Sequence, residues 1–109
     1  MELHWRLFTS CTSREAALRV AARLFEQASP DVSNLRAESH HKGGFMVSAS
    51  SSHLAQSWPE LVVLALTSAQ SVGHGWVLSG SIAEELDAWS NHSAVSGVSS
   101  IHVQAVRQE

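Results

Sequence analysis

Tyrosine is absent from this chain of 109 residues, cysteine occurs once and proline twice. The lone Cys11 has no internal partner, so no disulfide framework is expected and a reducing, cytoplasmic setting is the default. Charged residues make up 16% of the chain, below the roughly one quarter of an average soluble domain. Seven Lys and Arg against ten Asp and Glu give a net charge of -3. With no basic cluster to neutralise phosphates, general nucleic-acid binding is excluded. No apolar run reaches the ~20 residues that cross a bilayer, so no membrane partner is expected. The start, MELHWRLF, carries an acid at Glu2 and reads directly into a strand, without the basic and apolar regions of a secretion signal. The mature chain is therefore expected to begin at or near Met1.

Catalytic signatures are missing as well. The chain holds no HExxH, no CxxC, no glycine-rich phosphate loop, no Ser-His-Asp order and no nucleotide fingerprint. The expectation is a non-enzymatic protein with no metal and no cofactor. What the chain does have is a 44% hydrophobic content, enough at this length for one domain, 1–109, to bury a core without staples. Serine and histidine take the place of charge on the surface, with Ser39, Ser48, Ser50, Ser51, Ser52, Ser90, Ser93, Ser96, Ser99 and Ser100 grouped around the expected strands.

The pattern along the chain gives an element order. Leu3, Trp5 and Leu7 alternate with His4, Arg6 and Phe8, which predicts a first strand with one apolar face and one mixed face. Thr12 and Glu15 have capping-box spacing, and Ala17, Leu18, Ala21, Leu24, Phe25 and Ala28 recur at helical spacing until Ser29-Pro30-Asp31 stops them. Segments 35–39 and 45–51 flank His41-Lys42-Gly43-Gly44, which predicts an antiparallel hairpin. In 57–73, Ser57 and Glu60 form a second capping box, Pro59 stands in the first turn, and Gly73 is expected as a left-handed C-terminal cap. Leu61 to Leu66 between them are apolar almost all round, so this helix should be covered on more than one side. Residues 75–82 read as a strand with Trp76, Leu78 and Ile82 on one face. Residues 83–89 read as two turns of helix, 90–97 as a polar loop, and 100–106 as a last alternating strand.

This α+β order, β-α-β-β-α-β followed by an extra short helix and a C-terminal strand, resembles the ferredoxin-like plan, in which two helices cover one face of an antiparallel sheet. The resemblance lies in element order alone; it implies a layout and no function.

Four features are candidates for chemistry. Cys11, just before the first helix, has the position of an activated thiol, although Arg14 follows too closely for a phosphatase loop; a half-buried packing role is the plainer expectation. Seven histidines lack zinc-site spacing, and adjacent His40 and His41 on a strand would point to opposite faces. His4 and His102 form the better pair if the last strand lies beside the first. Trp5 and Trp76 are expected in the core, whereas Trp58 and Trp89 are expected to be partly exposed, where an indole anchors an interface. Finally, Glu84, Glu85 and Asp87 with Trp89 form an acidic and aromatic segment. Acids in the first turn of a helix complement its dipole, and the same residues also suit a basic protein partner.

Two functions follow from different classes. One is a non-catalytic protein-binding domain, for example a small inhibitor or immunity-type protein, which covers a basic site on its partner with Glu84, Glu85, Asp87, Trp89 and Trp58. The alternative is a small-molecule-binding or enzymatic ferredoxin-like domain, dimeric, with a pocket near the sheet or the second helix.

Overall fold

A computed structural model describes residues 1–28 and 32–107. Leu3, Trp5 and Leu7 are fully buried while His4 and Arg6 are exposed, so strand β1 (Glu2–Thr9) has the alternation its sequence predicts. The helix α1 (Arg14–Ala28) starts one residue later than expected. Ser13, not Thr12, is its cap, because the Ser13 Oγ accepts from the Ala16 N–H at 3.2 Å. Glu15, Arg19, Arg23 and Glu26 form its exposed stripe, and Ala17, Ala21, Leu24 and Phe25 its buried one. The expected stop at Ser29-Pro30-Asp31 lies outside the described residues.

The predicted hairpin is present, with β2 (Val32–Ser39) antiparallel to β3 (Phe45–Ser52). Its glycines are needed for different reasons. Gly43 and Gly44 both have positive φ, and a Cβ on Gly44 would also collide with the Thr9 carbonyl group. At the outer edge of the sheet, Asn34 has φ 58° where the β2–β3 register shifts, a bulge that blunts an otherwise open strand edge.

Helix α2 (Trp58–Val72) is capped as its sequence predicts: the Ser57 side chain accepts from the Glu60 N–H at 3.3 Å. The Glu60 carboxylate reaches back to the Gln56 N–H at 3.0 Å, one residue before the usual capping-box partner. Its other end differs from expectation. Gly73 is extended (φ -171°), not left-handed. The C-terminal carbonyls are instead taken by the Trp76 indole N–H, 3.0 Å from the Ala69 oxygen and 3.2 Å from the Gly73 oxygen. Gly73 serves close approach, since a Cβ there would press on the His92 carbonyl, and the chain turns at Gly75 with φ 65°.

Beyond α2 the expectation of one strand, a short helix and one strand is corrected. Residues 75–82 contribute only β5 (Val77–Leu78), and β4 (Gly73–His74) pairs with β7 (His92–Ser93) in a separate two-stranded sheet. The extra short helix does not form: 85–90 is strand β6 (Glu85–Ser90). Its Glu, Leu and Ala favour helix, but Leu86, Ala88 and Ser90 are buried alternately against exposed or half-buried Glu85, Asp87 and Trp89. Pairing with β8 (Val98–Val106) overrides the local preference.

The large sheet has the order β2-β3-β1-β8-β6-β5 and is antiparallel at every described pairing. The last strand does lie beside the first. Helices α1 and α2 pack on the same side, where Trp5 meets Phe25 edge-on at 5.8 Å. Each fully buried large apolar side chain there contributes about 1.5–3 kcal/mol. Among the described residues no helix or strand covers the other face of the sheet.

Ser51 and Ser90, expected at the surface, are instead buried. The Trp5 indole N–H donates to the Ser51 Oγ at 3.2 Å, and the same oxygen lies 3.0 Å from His53 Nε2. A neutral His53 ring completes this chain by accepting the Ser51 hydroxyl proton. Burial, with the Met1 amino group as a smaller contributor, lowers the His53 pKa below its ordinary 6.5. The fold therefore favours the neutral ring. Its stabilising contribution is complete above about pH 6.5 and is lost as the pH falls below that value toward the folded-state pKa. The thermal midpoint should accordingly drop more steeply between about pH 7.5 and 5 in the wild type than in His53→Asn; parallel slopes would show that His53 is not coupled to folding.

Candidate functional site

The alternation that buries one face of the sheet gathers the remaining side chains on the other. Because neighbouring strands stay in step apart from shifts at Ser33/Arg36 and Phe8/Thr9, the open face forms rows. One row runs Arg36, Ser48, Arg6, His102, Trp89, Val77 from β2 to β5. The next contains Ser50, His4, Gln104 and Asp87. On the other side of the first row, Phe8 pairs with Met46 and with Ser100.

Three of the sequence-predicted residues come together here. Glu85, Asp87 and Trp89 alternate along β6 and so share the open face. Asp87 is half-buried, and its Oδ2 accepts from the Ser79 hydroxyl at 3.2 Å. Glu84 is exposed in the turn just before the strand, at the same corner. Trp58 is not part of this group. It is 6% exposed, and its indole N–H donates to the Ile82 carbonyl at 2.6 Å, fixing the start of α2 to the 82–83 turn. The expectation of a partly exposed anchor at Trp58 is thus corrected, because the ring packs into the core.

An aromatic strip crosses the same face, and the sequence alone did not reveal it. Trp89 sits opposite His102, His102 meets Phe8 edge-on at 6.1 Å, Phe8 meets His40 edge-on at 5.2 Å, and His40 lies 4.5 Å from His41. The expectation that His40 and His41 point apart fails because both lie past the end of β2, where alternation no longer applies. Alternation alone puts Phe8 on the outward register of β1, but its neighbours come from β8 and the hairpin, so only the strand order shows the strip. His4 and His102 are on adjacent strands yet not opposite: His4 faces Gln104 and Arg6 faces His102.

Charge on this face is unevenly spread. Toward β2 the charges are mixed, Arg6 and Arg36 with Glu2 and Glu38, whereas toward β6 they are acidic, Glu85 and Asp87. Among the described residues the one ion-pair contact is His4 Nε2 to Glu2 Oε2 at 3.9 Å, between exposed side chains, a geometry that contributes little. A depression of about 390 Å³ opens on this face, where His4, Arg6, Ser48, Glu85, Asp87 and Gln104 converge.

Other features are bland by comparison. Cys11 is half-buried and packs against the core. His74 and His92 stack at 4.8 Å across the small sheet. Among the described residues no three His, Cys, Asp or Glu side chains are grouped to hold a metal ion, and no helix is long and apolar enough to cross a membrane. Comparison of the chain with protein-family models, curated proteins and solved structures gives no match to any of them.

Within the aromatic strip, the His102 Nδ1 is buried and meets no hydrogen-bond partner among the described residues. An unpaired buried polar atom costs about 1–3 kcal/mol, and replacing it by an apolar group of similar size removes that cost. His102→Leu should therefore keep or raise the thermal stability; a clear loss of stability would show that the imidazole nitrogen is paired in the fold.

Proposed function

We propose that this protein is a non-catalytic protein-binding domain that presents the open face of its sheet to a partner with a basic surface. The observation that carries this reading is the projection of Glu85, Asp87 and Trp89 from one strand onto an uncovered face, continuous with the strip through His102 and Phe8. Acids at the corner steer a basic partner and set its orientation, while the half-exposed rings supply area that loses little side-chain freedom on binding. An inhibitor or immunity-type role, in which the face covers a basic site on a toxin or nuclease, fits the net charge of -3 and the absence of a catalytic motif. Cytoplasm is the proposed setting, with Cys11 unpaired. We read the β2-β3-β1-β8 core under α1 and α2 as a ferredoxin-like plan in which β8 is the fourth strand and β6 and β5 extend the sheet.

A second reading has its own observation. The depression between His4, Arg6, Gln104 and Asp87 has several convergent polar groups, as a small-molecule site would. The described part of α2 that faces the sheet is filled, with Leu61, Ala65, Ala69 and Val72 buried, so a ligand would enter from the open face and not from under the helix.

Capture on the immobilised wild-type protein, with recovery measured by mass spectrometry, tests the first reading. Glu85→Lys with Asp87→Lys, and separately Trp89→Ala, should each reduce recovery of the captured protein at least tenfold, about 1.4 kcal/mol. Recovery at the wild-type level with both variants would remove the open face from the account.

A further inference from the structure

Opposite charges line the depression on the open face without meeting. Arg6 stands on β1 and Asp87 on β6, with β8 between them, so their backbones are at least two strand spacings, about 10 Å, apart. Among the described residues Arg6, Asp87 and Glu85 have no ion-pair partner. The Ser79 hydroxyl engages Oδ2 of Asp87 and leaves Oδ1 to the depression. Glu85 lies one row farther along β6, opposite Val106 of β8, which is 71% exposed and also lines the depression. Gln104 sits between the two signs, opposite His4 on one side and Asp87 on the other. Glu2, which contacts His4, and Glu38 are not among the lining residues.

We propose that this depression binds a short zwitterionic peptide of dipeptide size, an inference that rests on the small-molecule reading of the open face. The terminal carboxylate of the ligand pairs with the Arg6 guanidinium, whose planar fork matches a carboxylate with two parallel hydrogen bonds. Its α-ammonium, with three N–H donors, is shared by Asp87 and Glu85. The Gln104 side-chain amide, donor and acceptor at once, lies where the peptide group crosses β8. An aliphatic first residue rests on Val106 at the acidic end. A simple anion would face the two carboxylates and a simple cation would face Arg6, so a ligand that carries both signs is the complementary one. A free amino acid, with both charges on one carbon, leaves Gln104 without a peptide group. The volume of about 390 Å³ is at the small end of ligand sites, which suits two residues and not a longer peptide.

Titration of the full chain with the dipeptide leucyl-glycine, followed in proton–nitrogen correlation spectra, tests this assignment. Saturable shifts of the amides in 4–6, 85–87 and 104–106 are expected, with a dissociation constant of about 1 mM or below, an affinity within reach of a ligand of this size. The N-acetylated dipeptide and the C-terminal amide should each bind at least about tenfold more weakly, because each lacks one of the two charges. Arg6→Gln should abolish the discrimination against the amide, and Glu85→Gln with Asp87→Asn the discrimination against the acetylated form. Equal affinity for free and blocked dipeptides, or discrimination that survives in both variants, would overturn the proposal. Screening small fragments at the same amides separates the two levels of the account. Fragments that shift these amides where leucyl-glycine does not would overturn the peptide assignment alone, whereas no shift with either would overturn the small-molecule reading as well.

Discussion

The constraint on which the rest of this structure depends is that, among the described residues, helices cover one face of a six-stranded sheet and leave the other open. β1 lies inside the sheet, paired on both edges, and its odd-numbered residues Leu3, Trp5 and Leu7 must all point toward α1 and α2. A slip of one residue would place them in water and bring His4 and Arg6 into the core. The same phase is then imposed on every paired neighbour: Val47, Ala49 and Ser51 on β3, Ile101, Val103 and Ala105 on β8, and Leu86, Ala88 and Ser90 on β6. The helices are packed to match, with small Ala17, Ala21, Ala65 and Ala69 buried among larger Leu24, Leu61 and Trp58. Polar atoms drawn inside by this register find partners: Ser51 bonds Trp5 and lies within reach of His53, and Ser90 bonds the His74 carbonyl.

The proposed function rests on what this phase leaves outside. A sheet face without a covering layer is ordinarily solvated and polar, and much of this one is, with Ser48, Ser50, Gln104 and the exposed arginines. The strip from Trp89 through His102 and Phe8 to His40 departs from that composition. It brings the rings of His102, Phe8 and His40 into contact, with Trp89 next in register, on the side that has no structural need of them. On the opposite side of the domain, α2 keeps a second apolar surface that no described residue covers. The two surfaces differ in kind: the first combines acids with aromatic rings, the second is aliphatic with charge only at its margin.

Much of the frame was legible in the sequence because the signals were local. Alternation gave β1 and the end of β8, the glycines gave the hairpin, and Ser57, Pro59 and Glu60 gave the start of α2. The failures have physical causes. Residues 83–89 combine helix-favouring Glu, Leu and Ala, and their period of two is masked because the inward Ser90 is polar and the outward Trp89 is not. Gly73 carries the sequence mark of a left-handed cap, but the Trp76 indole takes over the helix end and Gly75 makes the turn. The acidic and aromatic character of 84–89 was visible from composition, yet its meaning changed with the strand: on a helix these residues would spread around an axis, whereas on β6 three of them face one way. Phe8, His40 and His102 are separated by more than 30 residues from one another, so the strip exists only once β1 is placed between the hairpin and β8.

Hydroxyl-radical footprinting of the captured complex, read residue by residue by mass spectrometry, tests most directly whether the open sheet face is the working surface. Protection of Phe8, Met46 and Trp89 on partner binding, with Leu54 on the exposed 53–57 connection unchanged, is the expected result. Unchanged labelling of Phe8, Met46 and Trp89 in a complex that protects other parts of the chain would contradict it.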